Sequence, residues 1–191
     1  TLVNPEFMAY LTLDPYKVVF EGQVWRLISW ILVPPGKFSI WIIISLYFYY
    51  SLGTSLERTW GTYRYNVYMF TGFLCTILGS FLYVLIGILQ YLPQIQSASD
   101  TTGVVMYVSS LYGALASLQF STYYINMSTL LLFAFTFPNV QVLLMFIIPI
   151  KVKWIGIAYA VILGYQVVRN LMYGNYPAVV MIVMSLLNFI I

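Results

Sequence analysis

Three consecutive segments decide the class of this chain: FSIWIIISLYFYYSLGTSL (Phe38–Leu56), ERTWGTYR (Glu57–Arg64) and YNVYMFTGFLCTILGSFLYVLIGILQYL (Tyr65–Leu92). The outer two hold no Asp, Glu, Lys or Arg, whereas the polar knot between them holds Glu57, Arg58 and Arg64. A helix rises about 1.5 Å per residue and a bilayer's hydrocarbon core is about 30 Å thick. The first run is therefore long enough to cross a membrane. The second is generous in length, so it tilts or projects. Two uncharged runs around a short charged knot read as a transmembrane helical hairpin.

Working outward, the rest of the chain agrees. Of 191 residues, 62% are apolar and 7% are charged, and the mean hydropathy is +0.90. Soluble domains carry about 25% charged residues. Eight basic and five acidic side chains cannot clothe a soluble surface of this size. Disorder is excluded as well, because it needs low hydrophobicity and high charge. The class that remains is an all-α, polytopic integral membrane protein, read as one domain over 1–191. Bacterial plasma membrane and endoplasmic reticulum stay equally open.

The missing residue types limit the chemistry. There is no His, and the only Cys is Cys75. No Ser-His or Cys-His catalytic pair can be assembled, so the expectation is a non-enzyme. A zinc site lacks its usual nitrogen and sulfur ligands, and no metal is expected. One Cys permits no internal disulfide. Aromatic residues reach 19%, with 18 Tyr. They suit membrane-interface belts rather than a cofactor cage, and no cofactor is expected. A net charge of +3, scattered along the chain, does not suggest nucleic acid. Membrane lipids are the expected surroundings.

Residues 1–37 contain Glu6, Asp14, Lys17, Glu21, Arg26, Lys37 and four prolines. They read as a first loop, partly folded at the membrane surface. Spans are expected at about 38–56, 65–92, 122–137, 154–168 and 177–191. The segment 104–118 reads as a packed or re-entrant helix preceding the third span, with two full spans between Thr101 and Phe137 as the competing count. Small residues favour close helix contact in lipid. Gly72, Thr76 and Ser80 form one such stripe, with Gly79 beside it, and Gly156, Ala160 and Gly164 form another. Counting Lys and Arg does not orient the chain. Lys17, Arg26, Lys37 and Arg169 fall on one side, and Arg58, Arg64, Lys151 and Lys153 on the other.

Three stretches together resemble the rhomboid superfamily. The first is Leu11-Thr12-Leu13-Asp14-Pro15 followed by Gly22-Gln23-Val24-Trp25-Arg26-Leu27-Ile28, similar to the first-loop "WR" signature of rhomboid proteases and derlins. The second is Gly53-x-x-Leu56-Glu57-x-x-Trp60-Gly61-x-x-Arg64, which resembles the end of family helix two and its turn. The third runs from Phe137-Pro138-Asn139-Val140 through Ile147-Ile148-Pro149-Ile150 to Lys153-Trp154, similar to the loop between family helices four and five. The resemblance implies a rhomboid-like bundle whose first helix lies upstream of Thr1, with about five spans in the present chain. It also places residues 1–37 in the outer leaflet, outside the cytoplasm.

The departures from the family pattern are functional. No GxSG motif occurs. The nucleophile position falls near Tyr123, the oxyanion-stabilising positions at about Trp41 and Ser45, and the base position near Leu186. The chain thus resembles inactive members such as derlins and other pseudoproteases. The resemblance implies binding of transmembrane segments of client proteins without cleavage, in membrane protein quality control or trafficking. Clients would enter laterally, between the helix ending at Leu56 and the helix starting near Trp154. A small membrane transporter or lipid-handling protein is the alternative. Four residues read as structural anchors. Glu57, beside Arg58 and Arg64, suggests a salt bridge joining two helices, since charge at membrane depth is usually paired. Trp25-Arg26 suggests an interfacial anchor whose guanidinium holds a phosphate or loop carbonyls.

Overall fold

Prolines open the first two helices. Pro5 begins α1 (Pro5–Leu11) and Pro15 begins α2 (Pro15–Phe20), positions where the missing N–H costs nothing. Asp14 caps α2, its carboxylate accepting from the Lys17 N–H at 3.3 Å. A short α3 (Arg26–Ser29) runs into a 3-10 turn at Trp30–Leu32. The computed structural model describes residues 5–34, 40–144 and 148–190. Lys37 and the expected onset of the first span at Phe38 lie outside these.

Two long helices follow, α4 (Ile40–Trp60) and α5 (Thr62–Gln90). A single residue separates them. Gly61 has φ +84°, a left-handed backbone that glycine adopts at little cost. The knot is thus mostly helical, and Gly61 rather than the charges sets the boundary. Next come α6 (Leu92–Ser97) and α7 (Thr101–Gln119), the latter capped by Asp100 accepting from the Gly103 N–H at 2.9 Å. Then α8 (Thr122–Thr136) leads into a hairpin of β1 (Gln141–Leu144) and β2 (Ile148–Lys151). The strands are antiparallel, with Gln141 opposite Lys151 and Leu144 opposite Ile148. α9 (Val152–Met172) and α10 (Tyr176–Ile190) complete the described chain.

The sequence does not anticipate this hairpin, because 140–150 shows no alternation of apolar and polar residues. Pro149, which donates no backbone hydrogen bond, is tolerated because both strands of a two-stranded sheet are edges.

Among the described residues, α5, α7 and α9 are long and apolar enough to cross a membrane. α7 meets that criterion although 104–118 reads from sequence as a packed or re-entrant helix. Its direction is informative. Tyr112 packs beside Gly87 of α5 and beside Tyr91, which follows that helix. Phe120 packs beside Gly79 and Tyr83. Beyond the break, Ser128 of α8 meets Tyr68. Advancing along α7 and α8 therefore means retreating steadily along α5. The two helices run one after the other in the same sense, antiparallel to α5.

Two clusters hold the bundle together. One gathers Leu13 and Trp30 from the N-terminal segment with Tyr83, Ala116, Phe120, Ile125, Leu163 and Ile182. The other gathers Leu52 and Leu56 of α4, Tyr68 of α5, Val152 of α9 and residues of α8. α8 contributes to both, and every residue from Ser128 to Ala134 is buried. A helix apolar all round is one that is surrounded by protein or lipid. Here it is protein, since α8 packs against α4, α9 and α10 as well as α5.

Candidate functional site

The start of α8 is where the structure concentrates polar groups at depth. Ser121 has an extended backbone and caps the helix, its Oγ accepting from the Tyr123 N–H at 3.3 Å. Such a cap satisfies one of the donors orphaned at a helix start. Ser121 and Thr122 are half-buried, and Tyr123 is 40% exposed. One turn further, the Tyr68 hydroxyl donates to Ser128 Oγ at 2.8 Å, and Ser128 donates on to the Ile125 carbonyl at 2.9 Å. Thr129 donates to the same carbonyl at 2.9 Å. This buried hydroxyl relay joins α5 to α8, and it is not legible from sequence. Its only signal is a Ser-Thr pair inside an otherwise apolar run.

The positions taken from the rhomboid resemblance distribute over three helices. Trp41 and Ser45 lie in α4, Tyr123 opens α8, and Leu186 lies in α10, partly buried against the larger core cluster. α8 packs against both α4 and α10. Tyr49, one turn beyond Ser45, lies within electrostatic reach of Tyr123, and Ser45 itself is exposed. The described polar side chains here, those of Ser45, Tyr49 and Tyr123, are neutral hydroxyls that can both donate and accept hydrogen bonds.

Trp25-Arg26 anchors the first loop from within. Arg26 is 2% exposed. Its Nη1 donates to the carbonyls of Ala9 and Thr12 at 2.9 and 2.8 Å, and its Nε donates to Gln23 Oε1 at 2.6 Å. The guanidinium also lies 5.3 Å from the Tyr10 ring centroid, and Tyr10 stacks on Trp25. The planar fork of arginine thus ties α3 to α1 and to the turn that follows α1 through backbone oxygens, a task lysine cannot copy. Of the two ligands expected for it, the loop carbonyls are the ones it holds.

Two expectations need correction. Glu57 forms no ion pair with Arg58 or Arg64 among the described residues. It lies instead within electrostatic reach of Tyr65, while both arginines are exposed. Neighbours in sequence do not face each other on a helix, and the turn at Gly61 leaves Arg64 pointing outward. The stripe Gly156-Ala160-Gly164 is not a seam. A Cβ on Gly156 would lie 2.8 Å from that of Ala134, but one on Gly164 would meet nothing within 4 Å, and Ala160 is exposed. The stripe turns away because α9 faces its neighbours only along one narrow strip. Leu56 and Val152 belong to one packed cluster, at the ends of α4 and α9 between which lateral entry is expected. The other stripe differs: Gly72 is buried, and a Cβ on Gly79 would come within 3.1 Å of Phe120 and Met184.

Among the described residues, no group of three or more His, Cys, Asp or Glu side chains could hold a metal ion. No family model matches the chain, and neither a curated protein nor a solved structure matches it.

Proposed function

We propose that this chain is a catalytically inactive, rhomboid-like membrane protein that binds transmembrane segments of client proteins without cutting them. The observation that carries this reading is α8. It is short, buried from Ser128 to Ala134, and it begins at the depth of Gly79, near the middle of α5, rather than at the end of the bundle. α7 and α8 then make one crossing between them. Together with α4, α5, α9 and α10 this gives five crossings, as the resemblance implies. Polar groups at the start of α8 would meet backbone exposed in an unwound client helix. Clients would reach these groups along α4, near Ser45 and Tyr49.

The end of the bundle carrying the α4–α5 turn and the start of α9 holds Arg58, Arg64, Lys151 and Lys153, and the opposite end holds Lys17, Arg26 and Arg169, so the positive-inside tendency does not decide the orientation. Orientation rests on the resemblance, under which the first loop lies outside the cytoplasm.

A photo-crosslinking residue at Ser45, in native membranes, tests the reading. Discrete protein adducts are expected, weakened by Tyr123→Trp, while the same probe at the exposed Tyr47 gives lipid adducts. Lipid adducts alone at both positions would favour a lipid-handling protein. Cleavage of a labelled transmembrane peptide by the purified chain would sink the inactive assignment.

A further inference from the structure

The turn between α4 and α5 carries a second feature, distinct from the start of α8. A cleft of about 440 Å³ opens beside Trp60, Tyr63, Arg64, Val67 and Tyr68. A second, of about 670 Å³, shares Tyr63 and Val67 and continues down the outward face of α5 to Phe70 and Leu74. The two form one groove with a polar head and an apolar tail.

The geometry points to a binding site for one phospholipid with an anionic headgroup, seated along the first three turns of α5. Arg64 to Leu74 covers ten residues, about 15 Å at 1.5 Å per residue. That is half of a hydrocarbon core of about 30 Å, the depth of one leaflet. The head of the groove is built for the interface, where the rings of Trp60 and Tyr63 are most stable. Arg64, which lines the head, is exposed and makes no ion pair among the described residues, which leaves its charge available to a phosphate. Arginine suits that partner because its planar fork binds phosphate bidentately. Space is present as well. Gly61 has nothing within 4 Å of an added Cβ, and no side chain caps the first turn of α5. The tail contacts, Val67, Phe70 and Leu74, are exposed and apolar, as an acyl chain requires. This inference needs only that α4 and α5 cross a membrane. It stands whether or not clients bind near Ser45.

The test uses the full chain in mixed micelles, examined by native mass spectrometry with phosphatidylglycerol and phosphatidylcholine in competition. One phosphatidylglycerol is expected to stay bound in preference to phosphatidylcholine. Arg64→Gln should lower its retention about five-fold, the equivalent of about 1 kcal/mol per basic side chain at an anionic surface. Val67→Trp should abolish retention by filling the groove while leaving Arg64 in place. Lys153→Gln should leave it unchanged. Equal retention of the two lipids, or equal loss in Arg64→Gln and Lys153→Gln, would overturn the site in favour of diffuse attraction. Displacement of the lipid by millimolar glycerol phosphate, or a second copy of the chain held in its place, would overturn it also.

Discussion

Helices α8 and α9 are made of similar residues and live in opposite surroundings. α8 has 15 residues, and from Ser128 to Ala134 none reaches its outside. α9 has 21 residues and buries only Val152, Gly156 and Leu163, leaving Trp154, Ile157, Val161, Ile162, Tyr165 and Val168 exposed. Lipid tails are as apolar as a protein core, so apolar content does not separate the two. Polar placement does. α8 keeps Ser128 and Thr129 inside and satisfies both, one of them through Tyr68. α9 leaves Tyr165, Gln166 and Arg169 at its outer surface. The central helix is recognised by what it must hydrogen-bond, and the peripheral one by what it does not touch.

Paired substitutions would sharpen or break this contrast, read as unfolding free energy in a detergent titration of mixed micelles. Phe133→Ala, at 5% exposure and 5.0 Å from the Phe137 ring, should have the largest effect, about 3 kcal/mol. That is the low end of the usual cost of Phe→Ala in a core, because the reference surroundings here are lipid. Gly156→Val comes next, at about 1–2 kcal/mol, since its side chain must displace Ala134. Tyr68→Phe should cost about 0.6 kcal/mol, the average for a hydrogen bond between membrane helices. Val161→Ala and Gly164→Val, on the outward side of α9, should each stay within about 0.5 kcal/mol. A Gly164→Val penalty matching that of Gly156→Val would mean that α9 is covered along its length, and the contrast would fail.

These pairs also show which features are legible in the chain itself. The α4–α5 hairpin is written in charge: two uncharged runs around Glu57, Arg58 and Arg64. Its precise hinge is not, because the helix continues through the charges until Gly61 permits a left-handed backbone. Trp25-Arg26 announces an anchor by residue type, but its partners Ala9 and Thr12 are 17 and 14 residues away, and no local pattern indicates them. The expected Glu57 salt bridge fails because proximity in sequence is not proximity across a turn. Gly156, Ala160 and Gly164 have the right period for a packing stripe, yet the period does not say how far a neighbouring helix accompanies them. The relay from Tyr68 through Ser128 joins residues 60 apart and becomes visible only once α8 is placed beside α5.

The measurement that tests the architecture most directly asks on which sides of the membrane the two ends of the α7–α8 unit lie. In a Cys75→Ser background, single cysteines at Ser97 and Asn139, both exposed, would be labelled with an impermeant maleimide in right-side-out and in inverted vesicles. One crossing over Thr101–Thr136 requires the two positions to react from opposite sides, with Asn139 on the side of Arg64. Reaction of both from the same side would mean that α7 and α8 cross separately, and the five-crossing, rhomboid-like reading would be contradicted.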